Sequence, residues 1–267
     1  MTLDHLEYDH HRTTLANVRT RFQDDPEILA LYVGGSLAHG YAKADSDVDI
    51  ILIISEQDYQ IRKQAGNLLF FSADLSTYQG GYVDGKFITP VYLDTVARQG
   101  NQPSRYAFKD CFPLIIRDSA LESLVFRAAC FPDEQQSALA ERFYAQLQAW
   151  RWYFYEGNKH QNPYLIATAV QNVVLYACRI VLNHNRLLYP YHKWMLAEVQ
   201  SAPEKPENLL DLIHTLVEHR RPEDLEALCR GIEAMNTATQ GPHDWPNYFL
   251  QDVETPWMRS EPYIADL

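Results

Sequence analysis

Basic residues are in short supply: Lys and Arg number 23 against 35 Asp and Glu, for a formal net charge of −12. A surface of that sign repels phosphate backbones and disfavours broad nucleic-acid binding. It is compatible with a local basic pocket for a nucleotide. It also suits a cationic small molecule, although many soluble proteins are acidic without such a reason. Cysteine is scarce as well. Cys111, Cys130, Cys178 and Cys229 are widely spaced and form no CxxC pair, so they read as reduced, mostly buried thiols. The ten histidines show no HExxH or similar spacing, which argues against a zinc site. No stretch approaches the roughly 18 consecutive apolar residues of a membrane span. The opening Met1-Thr-Leu-Asp lacks the basic-then-apolar order of a secretory signal, and the expectation is a cytoplasmic protein without membrane attachment. There is no internal repeat and no low-complexity tract.

What is present is material for a core: 46% of the 267 residues are apolar and 12% aromatic, enough for one large domain or two ordinary ones. Residues 5–22 predict an opening helix. Ile28–Val33 is a short apolar run that predicts a buried strand, stopped by Gly34-Gly35. Val48–Ile54, rich in β-branched residues, predicts a central strand. A covering helix is expected over 56–70 and further strands over Tyr82–Ile88 and Leu114–Arg117, with Pro90 limiting how central the former's end can be. Beyond about residue 120 the texture turns helical, with stretches at 134–156, 163–187, 192–201, 206–219 and 222–238, then an irregular tail from Gly241.

The chemistry concentrates between the first two strands, in Gly34-Gly35-Ser36-Leu-Ala-His39-Gly40 and Ser46-Asp47-Val48-Asp49. Side chains alternate along a strand, so Asp47 and Asp49 share a face, about 7 Å apart, while Val48 points away. Two carboxylates so placed can jointly hold divalent cations, and paired metals stabilise the attacking and leaving oxygens of a phosphoryl displacement. Upstream, Gly35 permits close backbone approach to a phosphate, free N–H groups at a helix start attract anions, and Ser36 adds a hydroxyl donor. Either half alone is ordinary: a Gly-Gly-Ser turn, or a solvated Asp-x-Asp. Together they place two acids at the mouth of a buried strand, an arrangement that asks for a balancing cation.

These residues resemble the nucleotidyltransferase superfamily of DNA polymerase beta and the antibiotic adenylyltransferases, whose pattern is a Gly-Ser turn followed by Ser-Asp-x-Asp. The resemblance is strong over about twenty-five residues; the remainder matches the aminoglycoside and lincosamide enzymes only in layout. It implies that Gly35 and Ser36 hold the triphosphate of a donor nucleotide, ATP or another nucleoside triphosphate, and that Asp47 and Asp49 bind Mg²⁺. Many relatives carry Arg where His39 stands; this histidine reads as a weaker phosphate contact or a helix-surface residue, the latter preferred. The resemblance also implies a third carboxylate from a neighbouring strand. Asp84 is the first choice, as metal ligand or base, followed by Asp94 and Asp74; the competing reading of Asp84-Gly85 is a hairpin turn. Lys193, in Pro190-Tyr-His-Lys-Trp194, is the candidate by which a helical domain reaches the triphosphate, against the plain alternative of a surface lysine.

Two further signals have bland counterparts. Arg179 and His184 have the Arg-x4-His spacing that resembles HEPN ribonucleases, yet both residue types suit the C-terminal end of any helix. Trp150–Tyr155 reads as helix core, with part of it a possible lining for an acceptor pocket.

The sequence thus predicts an α+β fold: a small mixed-sheet nucleotidyltransferase domain over residues 1–125 and an α-helical bundle over 126–267, with the active cleft between them. The expected reaction moves NMP, AMP from ATP first, to a hydroxyl of a small-molecule acceptor, nucleic acid being disfavoured as partner. The alternative is a non-catalytic nucleotide-binding or regulatory protein with an incomplete metal site.

Overall fold

The apolar run Val48–Ile54 is buried on both faces, and the first half of the chain is arranged around it. The computed structural model describes residue 3, residues 5–235, 245–258 and 264–266. The chain divides into two compact units, Met1–Cys130 and Phe131–Leu267.

The first unit runs α1 (Asp9–Phe22), β1 (Ile28–Val33), α2 (Gly35–His39), β2 (Val48–Ile54), α3 (Glu56–Gln64), β3 (Leu69–Ser72), β4 (Val83–Ile88), α4 (Pro90–Gln99), α5 (Gln102–Tyr106), β5 (Phe112–Ile116) and α6 (Ala120–Ala128). The five strands form one mixed sheet in the order β3-β4-β2-β1-β5. β2 pairs antiparallel with β1 and parallel with β4. Alternation along β2 sorts its side chains. Val48, Ile50, Leu52 and Ile54 join Leu15, Val18 and Phe22 of α1 in one core. Ile51 and Ile53 join Leu93 and Val96 of α4 and Leu121 and Val125 of α6 in a second. Asp49 therefore belongs to the face of Ile51 and Ile53. On β4, Val83 and Phe87 enter the first core and Ile88 the second, which puts Asp84 and Lys86 on Asp49's face.

Two expectations give way here. The helix expected over 56–70 stops at Gln64, and residues 69–72 are a strand. Ser55 caps the helix start by accepting from the Asp58 N–H at 3.1 Å. Gly66, at φ +68°, ends it as a left-handed C-terminal cap. Pro90, read as a limit on a strand, is instead the first residue of α4, with Thr89 as its cap.

The second unit comprises α7 (Gln136–Lys159), α8 (Pro163–His184), α9 (Met195–Ser201), α10 (Leu209–His219), α11 (Pro222–Ala234) and α12 (Trp245–Phe249). The expected tail from Gly241, as far as Asp244, and residues 236–238 of the last expected helix lie outside the described residues. α8 is apolar enough, by length and composition, to cross a membrane, with a window of mean hydropathy 1.8. That window is 67% buried, and α8 is the helix around which this unit's core forms. Arg179 stands inside this core. Its guanidinium lies 4.3 Å from the ring centroids of both Phe143 and Tyr189 and donates to the Ala265 carbonyl at 3.0 Å. His184, by contrast, is at the helix end and bonds to Glu204 at 2.7 Å. The Arg-x4-His spacing therefore separates a core cation from a surface ion pair. Of the aromatic cluster in α7, Phe154 is fully buried, whereas Trp152 and Tyr155 are exposed.

Candidate active site

The parallel pairing of β2 and β4 sets Asp49 directly beside Asp84 in register, one residue past Val48 beside Val83. Asp47 lies on the approach to β2. One carboxylate oxygen from each of Asp47, Asp49 and Asp84 falls within 4.8 Å of the others. Three like charges so close repel, and a divalent cation bound by oxygen ligands is the arrangement that relieves them.

Glycines make the close approach possible. Gly35 has φ +59°, and a Cβ on it would stand 1.7 Å from Asp49 Oδ2. The Gly34 N–H donates to the Asp49 carbonyl at 3.0 Å, tying the end of β1 to the start of β2. Gly85 is not a hairpin residue, as the Asp-Gly reading had it, but a mid-strand one. A Cβ there would lie 2.5 Å from both the side chain and the carbonyl of Ile50, so this glycine is what lets β4 lie against β2. Ser36, in the first turn of α2, is buried, and its hydroxyl has no hydrogen-bond partner among the described residues.

A second tier of residues, not singled out from the sequence, holds the loop that delivers Asp47. His11 Nε2 lies 3.0 Å from the Ser46 carbonyl, and the Tyr78 hydroxyl donates to the same oxygen. His10 Nε2 reaches the Ala44 carbonyl at 2.9 Å. Burial holds the His11 pKa below its ordinary value, which keeps its ring neutral, with an Nε2–H free to donate to Ser46. The Tyr82 hydroxyl hydrogen-bonds the Asp47 carboxylate, and this bond raises its own pKa. Nothing local in the sequence marks these partners, because His11 and Ser46 are brought together across 35 residues.

The other candidates fall elsewhere. Asp94 is on α4, engaged with Arg98 at 2.7 Å and Arg127 at 3.8 Å, and Asp74 is exposed; neither joins the carboxylate cluster. His39 is not the helix-surface residue preferred from sequence: its side chain is 4% exposed, packed on the Tyr106 ring at 4.4 Å and 3.7 Å from Asp110. Lys86 shares the face of Asp84, its amine 6.0 Å from the Phe108 ring, and burial lowers its pKa. Lys193 belongs to the helical unit, where its amine lies 5.0 Å from the Trp194 ring.

Residues 16–82 match the family described as polymerase beta, nucleotidyltransferase. The match takes in Gly35, Ser36, Asp47 and Asp49 and ends before Asp84. No curated protein matches the chain in sequence. Two solved structures are similar. A nucleotidyltransferase-like protein from Exiguobacterium sibiricum 255-15 is 12% identical, with 94% of this chain and 80% of that one covered and a TM-score of 0.43. The spectinomycin adenyltransferase AAD(9) from Enterococcus faecialis, with ATP and spectinomycin, is 14% identical, with 82% of this chain and 98% of that one covered and a TM-score of 0.29.

Proposed function

Given a nucleotidyltransferase domain of the polymerase beta type in the first unit, we propose that the protein moves a nucleoside monophosphate, AMP from ATP, onto a hydroxyl of a small-molecule acceptor. Pyrophosphate is the other product. The observation that carries this reading is the meeting of Asp47, Asp49 and Asp84 within 4.8 Å. Their oxygen-only donor set, with the space that Gly35 leaves at the Asp49 carboxylate, fits Mg²⁺. When bound, the cation supplies charge neutralisation at the triphosphate and polarises the transferred phosphoryl group.

The chain's own residues have separate tasks. Asp47 and Asp49 hold the cation. Asp84 completes that set or takes the proton of the acceptor hydroxyl as its oxygen attacks the α-phosphorus. The new O–P bond forms as the bond to the β-phosphate oxygen breaks, and the proton passes from Asp84 to solvent. Gly35 lets the backbone approach the phosphates, and the partnerless Ser36 hydroxyl donates to them. Lys193 is a further proposed nucleotide contact; Lys193→Ala then raises KM for ATP and leaves kcat unchanged. A purely regulatory nucleotide binder needs no third acid, and Asp84's place beside Asp49 favours the transferase.

The test is binding of ATP and of GTP by calorimetry, with and without Mg²⁺, on the wild type and on the Asp47→Asn/Asp49→Asn variant. Magnesium-dependent binding that disappears in the variant supports the assignment. Binding indifferent to both magnesium and the substitution removes the metal from the site.

A further inference from the structure

The first unit contains a pocket of about 430 Å³ that the transfer reaction does not use. Tyr32 of β1 and Pro113 of β5 lie on one side of it, Val125 and Phe126 of α6 on another, with Glu122 and Cys111 also in its lining. The volume is within the usual range for small-molecule sites, about 300–1,000 Å³.

Its polar groups can be sorted by what already occupies them. The Cys111 thiol donates to the Ala107 carbonyl at 3.2 Å and the Cys130 thiol to the Phe126 carbonyl at 3.3 Å. Lys109 and Asp110 face one another at 3.5 Å. Two groups are left over. The Tyr32 side chain is 3% exposed, and its hydroxyl is buried without a hydrogen-bond partner among the described residues. A buried tyrosine hydroxyl normally has one. Glu122, on α6, forms no ion pair among the described residues and is the nearby charge that acts most strongly on Tyr32. Phe126 contributes an aromatic side chain that is 71% exposed, an apolar wall lacking its cover.

We propose that this pocket binds a small organic cation: an ammonium group carried on an apolar body. The ammonium pairs with Glu122 and hydrogen-bonds to the Tyr32 oxygen, and the body lies between Val125, Phe126 and Phe108. Burial pushes the Tyr32 phenol up to about 12 and the Cys111 thiol likewise to about 12, so neither is ionised at neutral pH. The pocket therefore holds, in Glu122, an anionic group without an ion pair among the described residues, and Cys111 contributes no thiolate to it. A protonated amine answers both the carboxylate and the hydroxyl oxygen; an anion can accept from the hydroxyl but is repelled by Glu122. The net charge of −12 draws the same class of ligand toward the surface.

The experiment is calorimetric titration of the full-length protein with phenethylammonium, phenethyl alcohol and hydrocinnamate, which share a body and differ in charge. The amine binds, the alcohol binds more weakly, and hydrocinnamate does not bind. Glu122→Gln weakens the amine about fivefold, the share of one exposed ion pair. Tyr32→Phe weakens it by about as much through one lost hydrogen bond, without lowering the melting temperature, since the hydroxyl has no partner to lose. Ala129→Trp, which fills the pocket from α6's C-terminal end, abolishes binding. The titrations are made without Mg²⁺ or nucleotide, so amine binding is read independently of the transfer reading. Absence of amine binding, equal affinity for hydrocinnamate, or unchanged affinity in Ala129→Trp overturns it.

Discussion

Gly35 and Asp49 share one volume: the position a Cβ would take on Gly35 is 1.7 Å from Asp49 Oδ2. The glycine thus does two things at once, adopting φ +59° and leaving room for a carboxylate. Gly35→Ala is expected to abolish nucleotide transfer while the fold survives. The left-handed backbone costs an alanine about 1 kcal/mol, and the displaced Asp49 adds its own strain. Gly34→Ala is the control, because its Cβ would be tight only against the Cys111 thiol, at 3.3 Å, with ordinary contacts to Ile51 at 3.6 Å and the Ala107 carbonyl at 3.8 Å. Turnover and melting temperature on both variants check this. Comparable activity in the two would mean that Asp49 need not stay where it is.

Asp84→Asn is expected to lower kcat by about 10²–10⁴-fold, the range for loss of a positioned acid or base. Its melting temperature without metal should hold or rise, because one of three crowded like charges has gone. Saturating Mg²⁺ at about 100 times its Kd should stabilise the wild type by about 2.7 kcal/mol, and the variant by much less. A variant that keeps most of its turnover would take Asp84 out of the chemistry.

His11 makes stability pH-dependent. Its folded pKa is lowered by burial from the ordinary 6.5, so between that value and the folded pKa the unfolded chain binds a proton that the native state refuses. This contribution to stability is fully present above pH 6.5 and is lost as pH falls through the folded pKa. Melting temperature measured against pH should decline through that window in the wild type. His11→Gln should flatten the decline, its amide still able to donate toward the Ser46 carbonyl. A profile with the same slope in both proteins would assign the decline to other groups.

Arg179→Ala is expected to destabilise the helical unit by about 3–5 kcal/mol, through the packing lost between Phe143 and Tyr189 and a carbonyl left without its donor. Arg179→Met, which keeps most of the volume, should cost less. Chemical denaturation gives both values. A ribonuclease role predicts instead RNA cleavage by the wild type that Arg179→Met abolishes at unchanged stability.

What was legible in the sequence was what is local. The end of β1, the Gly34–Ser36 turn and the alternation through Asp47-Val48-Asp49 are set by neighbours within a few residues, and the strand Val48–Ile54 shows in its own composition. Residues 69–72 were hidden because four residues after a helix leave too short a pattern, and the left-handed Gly66 that separates them announces itself only in φ. Asp84-Gly85 is the sharper case. A hairpin and a mid-strand glycine have the same sequence, and only the pressure of Ile50 across the sheet tells them apart. The surface reading of His39 gave way because Tyr106 and Asp110 reach it from the far side of the unit's chain.

The parallel pairing of β2 with β4 also has a kinetic side. Parallel neighbours cannot be joined by a tight turn, so α3 and β3 must be laid down between Asp49 and Asp84 before the two strands can meet. Contacts that span so much chain close slowly and contribute only once closed. A nascent chain that has emerged only as far as Asp49 displays two acids and has no third to add. The protein acquires a complete carboxylate set, and with it the means to hold a cation, only once synthesis has passed Asp84 and β4 has paired with β2.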